Sequence, residues 1–414
     1  MQIAIIGSGI SGLAAAYGLR GQHELTLFEA EDRLGGHTAT KTVEVEGQSY
    51  AVDTGFIVYN DRTYPHLIRL FEQIGIQGRP TDMSFSVATS DGSREYASSD
   101  LNTLFATRRD LLRPSQYRLI RDILRFNRAA AALAGQTQDT RTLEEFLDAG
   151  RYSQDLRERY VYPLCAAIWS ASLDTARRFP AEHFARFFAN HGLLSLADRP
   201  QWRTVPGGSQ AYIDAMRPTL DADIRLRTPA LAVRRENGGV TVDIETGAAR
   251  FDAVIFACHS DQALALLGAD ASPAEREILG ALPYVDNDVI LHTDRRLLPQ
   301  RPRAWASWNY ALHEDPTHAA TLTYAMNRLQ GLEAPVECCV TLNAREAIDP
   351  ATILGEYVYA HPVYTPESNA ARARRAEING VNHSWFTGAY WYNGFHEDGA
   401  RSALDVAQAL GGGW

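Results

Sequence analysis

The chain predicts an α/β fold around a parallel, dinucleotide-binding sheet, and three features carry that prediction. Residues 1–36 run strand, glycine turn, helix, strand and acidic residue in that order. A second glycine turn follows at once, and a third glycine-bearing loop opens the last helix near residue 399. Between these segments lie a helical stretch and a group of short strands, which predict a second, mixed α+β domain built on an antiparallel sheet.

The run Ile3-Ala4-Ile5-Ile6 is a short apolar strand of the kind buried in a parallel sheet, and it feeds into Gly7-x-Gly9-x-x-Gly12. Gly7 permits the tight turn, Gly9 lets the backbone approach a pyrophosphate with no Cβ in the way, and Gly12 lets the helix pack closely on the sheet. Ser11 stands at the helix start, and Leu13 to Tyr17 continue it, so that its amides and dipole aim at phosphate. A second strand, Leu25 to Phe28, ends in Glu29. A carboxylate there, about twenty residues past the first glycine, accepts from ribose hydroxyls and repels a 2′-phosphate. This is the Rossmann-like pattern.

Farther on, Pro206-Gly207-Gly208-Ser209 leads into a helix near 211–220, and strands follow near Ala230–Val233, Val240–Ile244 and Phe251–Cys258, with Gly238-Gly239 as a hairpin turn. The last segment, Trp385–Tyr390, precedes Gly394–Ala400 and a helix to Leu410. Gly399 and Ala400 are expected to offer backbone amides at a second helix N-terminus. Helices are expected over 64–74, 114–134, 153–167 and 181–190, with a capping box at Thr142 and Glu145. Strands are expected at 289–292, 305–310, 320–325 and 336–342. The cofactor domain then comprises 1–61, 204–284 and 343–414, and the substrate domain 62–203 and 285–342.

With 414 residues, 45% hydrophobic and 22% charged, the chain can fill two domain cores. A net charge of −10 argues against a nucleic-acid partner, which needs a basic face. No apolar run is long enough to span a membrane, and Met1 leads straight into the first strand without room for a signal peptide. A cytoplasmic protein is expected, at most peripheral to the inner membrane face. Cys165, Cys258, Cys338 and Cys339 lack ligand spacing, so no metal and reduced thiols are expected. One stretch opposes the acidic balance: Arg108, Arg109, Arg113, Arg118, Arg121, Arg125 and Arg128 alternate with Leu119, Ile120, Ile123 and Leu124. It reads as a solvated helix face or as a patch that settles on anionic headgroups.

The segment Arg33-Leu34-Gly35-Gly36 resembles the R-x-G-G motif of the flavin amine oxidase superfamily, which includes phytoene desaturases and protoporphyrinogen oxidases. The resemblance implies FAD, an amine-oxidase-type cofactor domain, and pyrophosphate contacts from Arg33, Gly35 and Gly36. Most members carry arginine where this chain has His37. The strings Asp53-Thr54-Gly55-Phe56, Pro206-Gly207-Gly208-Ser209, Asn327-x-Leu329-Gln330, His361-Pro362 and Gly394-Phe395-His396-Glu397-Asp398-Gly399 are similar to a bacterial branch described as NAD/FAD-binding flavoproteins. The same resemblance places Gly55 and Phe56 beside the flavin ring, Ala230 at adenine, and Asp398, Gly399 and Ala400 at the ribityl and pyrophosphate groups. It implies noncovalent FAD, because no cysteine lies beyond Cys339 where the superfamily's tether stands.

Members of this branch are often encoded beside cyclopropane-fatty-acid synthase-like methyltransferases. That implies an unsaturated, methylated or cyclopropanated acyl chain as substrate, and a lipid methyltransferase as a partner. Amine oxidases of the superfamily use a lysine near the flavin and an aromatic cage. Here Lys41 is the sole lysine, and Phe395 stands close to a cage tyrosine position. Four readings stay open: an FAD-dependent oxidoreductase removing hydride from a hydrophobic substrate, a redox-neutral double-bond isomerase, an amine oxidase, and a noncatalytic flavoprotein partner. His396 is the candidate base, or it serves only to hydrogen-bond its loop.

Overall fold

Alternation along the first strand decides the layers. In the computed structural model, which describes residues 1–414 apart from 90, 99–100, 137, 170, 195–198, 237, 314 and 316–319, the strand Gln2–Ile6 turns Ile3 and Ile5 to one face and Ala4 and Ile6 to the other. All four are buried, as a central strand covered on both faces requires. It pairs in parallel with Glu24–Phe28 on one side and Ala253–Phe256 on the other, and Ala222–Arg225 and Ser384–Phe386 form the edges. Helices Ile10–Leu19, Gln210–Met216 and His396–Ala409 fill one face. The antiparallel meander of Ala230–Glu236, Gly239–Ile244 and Gly247–Phe251 covers the other.

The second domain rests on a seven-stranded sheet in the order Ile353–Pro362, Tyr284–His292, Cys339–Leu342, Thr321–Ala325, Trp308–Leu312, Phe85–Thr89 and Glu95–Ala97. Three expectations change here. The sheet is mixed, because Trp308–Leu312 pairs with Phe85–Thr89 in parallel. The strands Phe85–Thr89 and Glu95–Ala97 lie inside the stretch read as mostly helical. Ile353–Pro362, placed by sequence in the cofactor domain, pairs along its length with Tyr284–His292, so the third cofactor segment starts after Pro362 rather than at 343. Ten residues with no strong alternation in polarity gave no sign of which sheet would take them.

Helices of the 62–203 insertion from Pro114 onward pack on this sheet around one apolar core containing Leu119, Phe126, Phe184, Phe188, Leu322 and Val340. Pro65–Gln73, expected in the same domain, packs instead through Leu67, Leu70 and Phe71 into the cofactor domain. Pro114 opens the long helix Pro114–Leu133, and the capping box at Thr142 is present, with Glu145 N donating to Thr142 at 3.2 Å and Thr142 N to Glu145 at 2.9 Å. No helix among the described residues is long and apolar enough to cross a membrane.

Candidate cofactor-binding active site

The three glycines of the first turn do different work. Gly7 adopts φ +101° and abuts the Ala257 carbonyl, at 2.9 Å from where a Cβ would stand. A Cβ on Gly12 would overlap the Gly7 carbonyl oxygen. A Cβ on Gly9 would meet nothing within 4 Å, and Gly9 caps the helix Ile10–Leu19 without a side-chain bond. So Gly7 and Gly12 serve the fold, while the space before Gly9 is a cradle at a helix N-terminus of the kind a pyrophosphate fills.

Around it stand the groups expected for the rest of a dinucleotide. Glu29 accepts from Ser8 N at 2.9 Å, Ser8 Oγ at 2.5 Å and Glu31 N at 2.8 Å, which fixes its carboxylate at the strand end. With three of about four lone-pair positions taken, it retains capacity for a ribose hydroxyl. Thr228 N donates to the Glu29 carbonyl at 2.8 Å, which brings Ala230 and its meander to the adenosine end. The second glycine turn lies against the first: Gly35 bridges Gly9, and a Cβ on Gly36 would come within 3.2 Å of the Gly9 Cα. Arg33 donates to the carbonyls of Thr38 and Gly36, both at 2.9 Å, so it braces this turn from within.

At the terminal helix the arrangement differs from expectation. Gly399 N donates to Phe395 O at 3.1 Å and Asp398 N to the same oxygen at 2.9 Å, while Asp398 accepts from Phe395 N at 2.9 Å. Gly399 therefore does not aim its amide at a ligand. Its role is close packing: a Cβ would reach Ile10 Cγ2 at 2.6 Å, and its carbonyl accepts from Ser11 Oγ at 3.2 Å. Ser11 is thus a tie between the two helices rather than a group facing phosphate, and Ala400 is fully buried beside it. The helix's first amides, those of His396 and Glu397, precede the first intrahelical bonds and are the ones left for a ligand.

The rest of the motif is internal. Glu397 accepts from His66 N at 3.1 Å, His66 Nδ1 at 2.5 Å and Leu67 N at 2.9 Å, capping the helix Pro65–Gln73. Burial raises Asp398 to about 7. His396 lies flat on Phe56, ring centroids 3.8 Å apart, and its Nε2 is 2.8 Å from the Tyr212 hydroxyl and 3.3 Å from Thr38 Oγ1. Burial lowers it to about 3, so it is a neutral ring. Held this way, it positions the Gly55-Phe56 segment. Gly55 itself touches the His37 backbone so closely that a Cβ would overlap that carbonyl, to which Phe56 N donates at 2.8 Å.

Sequence reasoning missed two groupings. The first is a set of imidazoles: His37 stands 5.7 Å from His259 and 5.8 Å from His361, with Tyr359 at 5.2 Å. Burial, then mutual repulsion, holds His37 at about 3 and His361 at about 4. His37 Nε2 is buried with no partner. Asn343 donates to Asn287 Oδ1 at 2.8 Å, which orients that amide so its Nδ2 faces His361 Nδ1 at 3.0 Å and leaves the imidazole proton on Nε2. The second is Asp53, fully buried and raised by burial to about 6. It accepts from Thr40 Oγ1 at 2.5 Å, Ser209 N at 2.9 Å, Ser209 Oγ at 2.7 Å and Gln330 Nε2 at 2.9 Å. Three of the quoted strings thus meet at one carboxylate. Sequence spacing carries no signal for either, because the partners come from segments far apart in the chain.

An aromatic wall continues from the terminal motif into the core of the helical insertion, where Trp169, Phe179, Phe187 and Tyr364 are buried and Phe395 is half-buried. Phe395 stacks on Phe187 at 4.8 Å, Trp169 stands 5.0 Å from Phe187 and 4.3 Å from Phe179, and Tyr364 lies 6.2 Å from Phe179. Lys41 is elsewhere, its ammonium 4.6 Å over the Tyr357 ring. A depression lined by Met1, Asp252 and His383 lies at the amino ends of the parallel strands, opposite the glycine turn, and has no part in this site.

The family model of flavin containing amine oxidoreductases matches residues 10–329. A Mycobacterium tuberculosis protein named as a flavin-containing monoamine oxidase is 27% identical over 263 residues, covering 62% of this chain and 56% of that protein. The matched part thus spans little more than half the length of that relative. Among solved structures, a fatty acid isomerase of P. acnes that produces conjugated linoleic acid superposes with TM-score 0.72 at 16% identity, covering 99% of this chain and 98% of that one. Cyclohexylamine oxidase from Brevibacterium oxydans does so with TM-score 0.70 at 15% identity and 99% of each chain. At these identities the superpositions speak for the α/β fold, with its parallel sheet and mixed substrate-domain sheet. With a cradle open at Gly9, a carboxylate at the second strand end, and a match over most of its length, the chain belongs to the flavin containing amine oxidoreductase family, whose cofactor is a flavin.

Proposed function

We propose that the protein is an FAD-dependent oxidoreductase that removes a hydride from a C–H bond of a hydrophobic substrate, an unsaturated, methylated or cyclopropanated fatty acyl chain. The observation that carries this reading is the aromatic wall of Trp169, Phe179, Phe187, Tyr364 and Phe395, with His183 and His191, which burial keeps neutral, packed against it. Such a wall binds acyl chain by area and offers an ammonium group no charged partner. Bound FAD supplies the hydride acceptor. The chain's own part is to orient the substrate carbon, exclude water and hold protons in place. Gly9, Gly36, Glu29, Ala230 and the amides of His396 and Glu397 would hold the cofactor.

His361, with its proton set on Nε2 by Asn287, would be the imidazole that handles a proton in this reading, and His396 is a positioning residue. FAD is held noncovalently: burial pushes the thiol of Cys258 up to about 12 and that of Cys338 to about 11, disfavouring the thiolate a tether needs. A lipid methyltransferase that makes the branched or cyclopropanated chain is the partner this substrate suggests.

Anaerobic mixing of the yellow protein with free fatty acids and phospholipids bearing these chains, followed by flavin absorbance and product analysis, tests the reading. Bleaching with loss of two hydrogens from the chain supports it. A shifted double bond with no net bleaching assigns isomerisation. Rapid bleaching by benzylamine or a polyamine overturns the acyl reading, and no response to any of these leaves the noncatalytic reading standing.

A further inference from the structure

The arginine-rich stretch has no part in the flavin site, and the structure sorts its residues cleanly. The helix Pro114–Leu133 buries Leu119, Asp122, Phe126, Asn127, Ala130 and Leu133 along one side. Among its exposed residues, Tyr117, Arg118, Arg121, Leu124, Arg125 and Arg128 fall at helical spacing on the other. The turn before it, Arg108–Leu112, exposes Arg108, Arg109, Leu111 and Leu112. The Tyr117 hydroxyl donates to Leu111 O at 2.9 Å, so turn and helix form one surface. Leu112 is 88% exposed and Tyr117, Leu124 and Leu111 are 52%, 45% and 43% exposed, an unusual gathering of bare apolar side chains.

The charges are sorted too. Asp110 and Asp122 are buried, while Arg109, Arg118, Arg121 and Arg128 are exposed; Arg125 turns back to donate to Gly150 O at 2.9 Å and Arg108 to Phe105 O at 3.3 Å. Arg113 pairs with Asp110 at 2.8 Å, and Arg121 and Arg125 reach Asp122 only at 4.0 Å. Arg109, Arg118 and Arg128 have no carboxylate within ion-pair distance among the described residues. The helix's first turn holds no acidic residue, although its positive dipole end favours one. On a chain of net charge −10, this face is a local cationic patch that favours an external anion.

We infer that this face docks the protein on an anionic phospholipid bilayer, with the arginines in the headgroup layer and Leu111, Leu112, Tyr117 and Leu124 at the acyl boundary. Interleaved apolar side chains are what a lipid surface rewards and a purely polyanionic partner does not. The opposite side of the same helix meets Phe184 through Phe126 at 6.1 Å, and Phe184 adjoins Trp169 of the aromatic wall at 6.3 Å. The docking face therefore lies on the layer that covers the wall. Its test does not depend on the flavin chemistry.

The purified flavin-loaded protein is sedimented with phosphatidylcholine vesicles, with or without phosphatidylglycerol, at low and high salt. The expected result is binding to the anionic vesicles alone, released by salt. Combining Arg109→Ala, Arg118→Ala and Arg128→Ala is expected to weaken it about a hundredfold, from about fivefold per arginine. The single change Leu112→Asp, at a fully solvated position that the fold does not need, is expected to weaken it about tenfold. Both variants should keep their colour and melting temperature. Equal binding of variants and native protein would overturn the proposal. So would binding that ignores lipid charge, or retention on heparin that Leu112→Asp leaves intact while vesicles are not bound.

Discussion

Two helices begin at the cofactor groove, Ile10–Leu19 and His396–Ala409, and each carries glycine near its start for an opposite reason. At Gly9 the missing Cβ leaves open space at a helix N-terminus, which we propose a pyrophosphate fills. At Gly399 the missing Cβ leaves room for Ile10 and Ser11, so the glycine serves the crossing of the two helices. A glycine-rich helix start is therefore not one kind of site. Whether the amides behind it are free depends on what the neighbouring carbonyls already hold, and at the second helix Phe395 O holds two of them.

Substitution can break this comparison, and the largest effect is expected at positions that serve packing. Gly12→Val forces a side chain into the Gly7 carbonyl and has no rotamer that avoids it. We expect failure to accumulate folded protein, a cost of roughly 4 kcal/mol or more. Gly399→Val should lower stability by about 2 kcal/mol through overlap with Ile10, measured by denaturant unfolding. Gly9→Val should leave stability of the flavin-free protein unchanged and abolish visible flavin absorbance. Full FAD occupancy in that variant would refute the placement of the pyrophosphate.

Smaller effects sharpen the comparison. Asp398 is raised to about 7 by burial, so the folded protein binds its proton more tightly than the unfolded chain does. Stability is then lost as pH rises from the ordinary carboxylate value towards 7. Asp398→Asn keeps an acceptor for Phe395 N and removes that slope. Relative to the native protein it should gain roughly 2 to 4 kcal/mol more at about pH 8 than at about pH 4, read from unfolding at each pH. Glu29→Gln keeps the shape of the first site and removes its charge. FAD affinity should fall about tenfold, the worth of one charge-assisted hydrogen bond, by titration of the flavin-free protein. The smallest change is expected from His396→Phe, which keeps the stack on Phe56 and loses the contacts of Nε2 with Tyr212 and Thr38. FAD should stay bound and turnover should fall less than with His361→Ala; the reverse order would return the proton-handling role to His396.

The two starts also differ in how much of them the sequence by itself determined. Gly7, Gly9, Gly12 and Glu29 were legible because the turn, the helix and the next strand are all local. Spacing alone places them, and no distant residue is needed to say where the backbone goes. Arg33, Gly35 and Gly36 were legible as a second turn for the same reason, although Arg33 braces it rather than reaching outward. What only the tertiary structure decided is every feature whose partners lie far apart in the chain. Asp53 meets Ser209, far along the chain, and Gln330 across the domain boundary. His37 meets His361 from opposite domains. Ile353–Pro362 joins the sheet of Tyr284–His292, and the Gly399 amide is spent before any ligand arrives. Periodicity and glycine report a residue's own backbone. Burial, proton position and free amides are set by whatever the fold brings alongside, and one chain read in order does not contain that.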